Sequence, residues 1–197
     1  MLMSKHPEGV TQVALYNAAD KFRIALVFLP QVLFQVILPM LSERRAAGDQ
    51  AGCRRIVAAA LGGNAVITGS VAVLVAWIAP RLMAAYGPAF ARGANVLPLA
   101  AASAVASGFY TIGGSALWAI GKPSQMLGID ILRTALLLGL CIFGLATDAR
   151  GVMLAWLISY GVAGALLLAM VHRQLQANAA ASLLAVNAVP VNAEASL

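Results

Sequence analysis

Charged residues interrupt this chain at long intervals and leave extended apolar stretches between them. Residues 24–42, 56–80, 93–121 and 151–171 contain no Asp, Glu, Lys or Arg, and residues 123–147 contain only Asp130 and Arg133. An α-helix rises about 1.5 Å per residue, so roughly 20 apolar residues cross the hydrocarbon core of a bilayer. Each stretch is long enough, and the pattern therefore predicts five transmembrane helices.

The same pattern predicts where the spans lie and what flanks them. Spans are expected at about 13–42, 55–79, 93–119, 124–146 and 150–172, forming a helix bundle over residues 13–172. Residues 1–12 are expected to form an N-terminal extramembrane segment, and residues 173–197 a mobile cytoplasmic tail in which Pro190 limits helix formation. Because small side chains let helices approach closely, the abundance of Ala, Gly and Ser indicates a tightly packed, all-α membrane bundle.

Composition and charge agree with a membrane protein rather than a nucleic-acid-binding one. The chain is 61% hydrophobic and only 10% charged, and its net charge of +6 comes from arginines and lysines grouped in short loops. Cytoplasmic loops of membrane proteins carry an excess of Lys and Arg. Successive connections between spans lie on alternate sides of the membrane. One side carries six such residues (Arg44, Arg45, Arg54, Arg55, Lys122 and Arg173), and the other carries four (Lys5, Arg81, Arg92 and Arg150). The larger set predicts a cytoplasmic C-terminus.

Residue types that support catalysis or metal binding are scarce. Cys53 and Cys141 have no CxxC spacing, and His6 and His172 are far apart in sequence. Neither a disulfide framework nor a metal site is indicated. No nucleophile stands beside a base, and no Gly-rich phosphate loop is present, so we expect neither an enzyme nor a bound cofactor.

Two groups of charged residues lie at or within the predicted spans. Asp20, Lys21 and Arg23 stand just before the first charge-free stretch, either as an interfacial anchor or as the lining of a water-filled cavity that attracts an anion. Asp130 and Arg133 are three residues apart, hence on one helical face, either as a structural pair or as a substrate or coupling site.

Prolines, amides and glycines within the spans suggest bends and close packing. Pro30 removes a backbone hydrogen bond in mid-span, and bends are expected at Pro30, Pro39 and Pro98. Gln31 and Gln35 can satisfy freed backbone groups, pack against another helix or contact a ligand. The glycine-rich "GFYTIGGSALWAIG" favours a packing face, with a hinge as the alternative.

The order of these features resembles the C-terminal half of polysaccharide flippases of the multidrug/oligosaccharidyl-lipid/polysaccharide exporter superfamily. The resemblance covers about 160 residues and is carried by "VALYNAADKFRIALVFLPQVLFQVILPMLSERRAAGD", "APRLMAAYGPAFARGANVLPLAAASAV", "ALWAIGKPSQ" and "ATDARGVMLAWLISYGVAGALLL". The matching pattern includes a Tyr-Gly-x-x-Phe element at Tyr86, a Gly-Lys-Pro turn at Gly121 and a glycine, Gly151, that opens the final span, and the order and spacing of the pieces carry the resemblance.

The resemblance implies part of a flippase of the bacterial inner membrane, where lipid-linked O-antigen or exopolysaccharide units cross for lipopolysaccharide and surface polysaccharide synthesis. The cargo would be an undecaprenyl-diphosphate-linked oligosaccharide, in a cavity to which Lys21, Arg23, Asp20, Asp130, Arg133, Gln31 and Gln35 contribute. Such flippases have about twelve spans in two lobes, so five spans are expected to be an incomplete lobe from a truncated or split gene.

Several alternatives remain at the level of sequence. A cation-coupled multidrug exporter or a peptidoglycan-precursor flippase belongs to the same superfamily. A different class is a non-transporting membrane subunit that assembles with a glycan polymerase. Expected partners are membrane lipids, the lipid-linked oligosaccharide and a missing lobe, another copy or a polymerase.

Overall fold

The described residues are helical throughout, apart from short connections. A computed structural model describes residues 9–91, 93–143 and 147–187, in which there are six helices and no strand. The helices are α1 (Gly9–Ala46), α2 (Gln50–Ala85), α3 (Pro88–Ala91), α4 (Val96–Ala119), α5 (Pro123–Ile142) and α6 (Ala149–Asn187). All except α3 are long and apolar enough to cross a membrane. The prediction of an all-α membrane bundle with five spans is confirmed.

The helices extend beyond the apolar stretches that predict them. Helix α1 starts at Gly9, inside the segment expected to be extramembrane, and continues through Pro30 and Pro39 to Ala46. Helix α6 runs to Asn187 and so includes residues 173–187 of the expected tail. Backbone hydrogen bonding does not stop at the membrane boundary, and residues 173–187 contain neither Gly nor Pro to end the helix. Whether this segment is mobile stays a prediction, and Pro190 lies outside the described residues.

Two turns bring the predicted basic residues to one end of the bundle. Gly48 and Gly121 follow α1 and α4 with φ values of +73° and +74°, a conformation that glycine adopts without the clash of a Cβ atom. Arg45 Nη1 donates to the carbonyl oxygen of Ala119 at 2.6 Å, which joins these two turns. Lys122 Nζ donates to Gln174 Oε1 of α6 at 2.8 Å. We call this end the basic end.

Asp49 fixes the start of α2 at the basic end. Its carboxylate accepts the backbone N–H of Gly52 at 2.7 Å and pairs with Arg44 at 3.0 Å. The N–H donor and the nearby guanidinium both favour the ionised form, so the pKa of Asp49 is lowered. At the opposite end, Gln12 Oε1 accepts the backbone N–H of Ala149, which joins the starts of α1 and α6.

Helix α4 lies at the centre and packs against α1, α2, α5 and α6, whereas α5 packs mainly on α6. Its glycines allow close approach. A Cβ atom added to Gly113 would lie 2.9 Å from Leu167 Cβ of α6, and one added to Gly108 would clash with the Asn64 side chain of α2. Ser115 is fully buried in the same helix. These contacts give the glycine-rich segment the packing face that its sequence favours.

Candidate functional site

A partly buried arginine on α1 has two partners. Arg23 Nε donates to Asp20 Oδ1 at 2.6 Å, one helical turn away, and only 12% of the Arg23 side chain is exposed. Its guanidinium carbon lies 4.6 Å from the centre of the Trp156 ring on α6. The carboxylate and the ring face both stabilise the positive charge, so this arginine can lie inside the bundle.

A second arginine, on α5, has the same kinds of partner. Arg133 Nε lies 3.8 Å from Asp130 Oδ1, and its guanidinium carbon lies 5.0 Å from the Tyr160 ring and 5.5 Å from the Tyr110 ring. The Tyr110 hydroxyl donates to the Asp130 carboxylate. Arg133 Nε is buried and, among the described residues, has no hydrogen-bond acceptor. This pair therefore depends more on charge and ring contacts than on a direct hydrogen bond.

Three aromatic rings connect the two arginines. Trp156 and Tyr160 are four residues apart on α6, hence on one face, and their rings stack with centroids 5.5 Å apart. Tyr160 meets Tyr110 of α4 edge to face at 5.5 Å. Four helices thus contribute to one connected set, which we call the arginine–aromatic ladder: Asp20, Arg23, Trp156, Tyr160, Tyr110, Arg133 and Asp130.

The ladder lies within the depth of the membrane-length helices. Helix α5 has 20 residues, and Arg133 is the eleventh, so it lies about 15 Å from either end of a span of about 30 Å. Trp156 is the sixth residue of the charge-free stretch of α6, about 8 Å inside it. Charged residues at such depth are costly unless paired, and they commonly mark substrate paths. The ladder contains two arginines and two aspartates, which makes it neutral overall.

An open groove of about 710 Å³ lies between α1 and α6, beside one end of the ladder. Arg23, Trp156 and Tyr160 form its polar and aromatic side, and Gln31 contributes an amide. Its apolar side includes Phe28, whose side chain is 65% exposed. The groove can therefore accept a ligand that combines an anionic or hydroxyl-rich part with an apolar part.

The structure separates the residues that the sequence groups together. Arg23 and Gln31 line the groove, while Asp20, Asp130 and Arg133 belong to the ladder. Lys21 and Gln35 are exposed and do not line it. Lys21 is exposed and Arg23 is partly buried on the groove wall, and their roles as anchor or cavity lining stay predictions.

The three prolines predicted to bend helices lie in different surroundings. Pro30 is fully buried, Pro39 is exposed within α1, and Pro98 is the third residue of α4. Bends at these positions stay predictions.

Sequence reasoning misses the aromatic residues of the site. In the sequence nothing distinguishes Trp156, Tyr160 and Tyr110 from other membrane aromatics, although their rings contact the two arginines. The available signal is the four-residue spacing in "WLISY", which places a tryptophan and a tyrosine on one helical face. Nothing in the sequence says that this face meets Arg23.

Comparisons with known proteins give no relative for this chain, since no family model, no curated protein and no solved structure matches it. The fold and the site therefore define a class only: a multi-helix protein of membrane-spanning dimensions with a charged, aromatic groove. Within the described residues, no group of three His, Cys, Asp or Glu side chains is placed to hold a metal ion.

Proposed function

We propose that this chain is part of an inner-membrane flippase that moves an undecaprenyl-diphosphate-linked oligosaccharide to the periplasmic leaflet during surface polysaccharide synthesis. The observation that carries the proposal is Arg23 on the wall of the α1–α6 groove, beside the stacked rings of Trp156 and Tyr160. The resemblance in sequence points the same way.

The groove offers a matching group for each part of such a cargo. A guanidinium binds phosphate oxygens in a fixed, two-pronged geometry, and Arg23 would do so through Nη1 and Nη2 because Nε is bonded to Asp20. Trp and Tyr rings combine a broad apolar face with a polar edge, which suits a sugar ring. Ile24 and Phe28 are apolar and exposed beside the groove, where a polyprenyl chain could lie.

Charge balance sets how a diphosphate would bind. Asp20 neutralises Arg23, so an arriving diphosphate competes with that carboxylate. Affinity would then come largely from the sugar and the polyprenyl chain, with Arg23 orienting the diphosphate. The groove is open along the bundle surface, and we propose that a second lobe, another copy or a polysaccharide polymerase covers it during transport.

Binding of a labelled undecaprenyl-diphosphate oligosaccharide to the purified chain in detergent tests the proposal. Arg23→Ala is expected to weaken binding about tenfold, as for loss of one charge-assisted contact of roughly 1.4 kcal/mol. The matched control is Arg81→Ala, since Arg81 also lies over a tryptophan, Trp77, but outside the groove. Equal affinities of the two variants for the cargo would show that Arg23 does not contribute to cargo binding.

A cellular assay tests transport itself. The chain is expressed in a flippase-deficient strain together with a covering lobe, and surface polysaccharide is measured. Restoration that depends on Arg23 but not on Arg81 supports a flippase for a diphosphate-linked cargo. Restoration that tolerates Arg23→Ala would show that transport does not need this arginine, and no restoration at all would count against the flippase.

The closed ion pair favours a second candidate function. Because Arg23 is already bonded to Asp20 and covered by Trp156, the ladder can equally serve to hold four helices together in a non-transporting subunit of a glycan assembly complex. Co-purification with a glycan polymerase, with no effect of Arg23→Ala on cargo binding, would support this candidate over the flippase.

A further inference from the structure

A separate groove lies at the basic end, between α2 and α6, away from the ladder. Its volume is about 360 Å³, within the range of small-ligand sites. The walls are apolar, formed by Val57, Ala58, Leu61, Leu168 and Val171. Two polar side chains also line the groove, Arg54 from α2 and His172 from α6.

The position of these two side chains matches the boundary between headgroups and hydrocarbon. Arg54 lies two residues before the charge-free stretch 56–80, and His172 directly follows the charge-free stretch 151–171. Leu61 lies about 10 Å further along α2 than Arg54. The groove therefore presents a polar mouth at interfacial depth and an apolar interior at acyl-chain depth.

The mouth is suited to an anion. Arg44 is paired with Asp49 and Arg45 caps α4, whereas the exposed Arg54 has neither an ion pair nor a side-chain hydrogen bond with any residue that the structure describes. The amide nitrogen of Gln176 lies 2.8 Å from His172 Nε2, which leaves the other ring nitrogen, Nδ1, for a contact with a ligand. A guanidinium and an imidazole ring at the edge of an apolar groove complement a phosphate attached to a hydrocarbon chain.

We propose that the groove between α2 and α6 binds an anionic phospholipid, with its phosphate at Arg54 and His172 and an acyl chain along Leu61 and Leu168. The site shares α6 with the α1–α6 groove, but its second helix, its residues and its end of the bundle are different. It does not depend on the proposed transport function.

Native mass spectrometry of the delipidated full chain, titrated with phosphatidylglycerol or phosphatidylcholine, tests the site. Arg54→Gln is expected to weaken phosphatidylglycerol binding about fivefold, the effect of one basic residue near an anionic headgroup. The matched control is Arg55→Gln, since Arg55 is the exposed neighbour and does not line the groove. Phosphatidylcholine is expected to bind more weakly to the unchanged protein.

A second pair of variants tests the apolar part without changing charge. Ala58→Phe fills the groove and is expected to reduce phosphatidylglycerol binding, whereas Ala59→Phe, on the exposed neighbour outside the groove, leaves it unchanged. Equal losses for Arg54→Gln and Arg55→Gln would reduce the effect to general surface attraction and overturn the proposal. Full competition by inorganic phosphate, or no effect of Ala58→Phe, would overturn it as well.

Discussion

Two arginines of this chain lie over tryptophan rings in very different surroundings. Arg23 lies 4.6 Å from the Trp156 ring and is only 12% exposed, whereas Arg81 is exposed and lies 6.0 Å from Trp77, itself 74% exposed. The attraction between a cation and a ring grows as water is removed, from about 0.5 kcal/mol at exposed sites to about 2 kcal/mol in desolvated ones. Arg81 directly follows the charge-free stretch 56–80, so its charged head can reach the interface, whereas Arg23 lies between helices. The chain therefore offers the same contact in a hydrated and a desolvated setting.

Double-mutant cycles measure that difference. The cycle of Arg23→Gln and Trp156→Leu is expected to give a coupling free energy of about 1–2 kcal/mol, and the cycle of Arg81→Gln and Trp77→Leu about 0.5 kcal/mol or less. Unfolding by a denaturant in detergent micelles supplies the free energies. Similar couplings in both cycles would mean that burial of Arg23 does not strengthen its contact with the ring.

At the level of the helices, small residues set how closely α4 approaches its neighbours. The Leu167 Cβ atom that faces Gly113 is fixed by its backbone, so an added methyl group cannot be avoided by a rotamer change. The helices would have to separate. Gly161 lies on the exposed face of α6, where an added Cβ would have no atom of the described residues within 4 Å.

The two glycines should respond in opposite directions to alanine. Gly113→Ala is expected to destabilise the fold by about 1–2 kcal/mol, because the cost of overpacking exceeds the better helix propensity of alanine. Gly161→Ala is expected to be neutral or to stabilise by up to about 1 kcal/mol. Thermal unfolding of the two variants in one detergent compares them. Stabilisation by Gly113→Ala would show that this helix contact is looser than described.

Across the whole molecule, side-chain contacts establish which connections share an end. Arg45 joins the α1–α2 and α4–α5 turns, and Lys122 joins the latter to α6. The predicted cytoplasmic residues in these segments are therefore together in space. Which side of the membrane they face is a separate question, for which the excess of Lys and Arg predicts the cytoplasm.

Cysteine labelling addresses both questions in a background with Cys53 and Cys141 replaced by alanine. Glu43→Cys and Ser124→Cys are expected to react only after the cells are permeabilised, whereas Asn95→Cys reacts with an impermeant maleimide in intact spheroplasts. All three native side chains are exposed. Opposite labelling of positions 43 and 124 would contradict the fold, and full reversal would contradict the predicted orientation alone.

The sequence by itself determined the number of membrane-length helices and their approximate centres. Long charge-free stretches allow few other structures in a bilayer, because backbone polar groups there must bond within the helix. It also marked Arg23 and Arg133, since a charge within an apolar segment is conspicuous. The helix ends were harder to predict from the sequence, because α1 and α6 continue into polar sequence with nothing to break them.

Only the tertiary structure decided which charged residues act together. In sequence, Lys21 and Arg23 are equivalent candidates, yet one is exposed and the other lies against Trp156, 133 residues further along the chain. The 3.6-residue period of a helix turns neighbours to different faces, and the packing of α6 on α1 and α4 then selects the face that is covered. The spacing of Trp156 and Tyr160 shows that they share a helical face, but nothing in the sequence near Arg23 shows that this face meets it, so the contacts of the ladder emerged from packing.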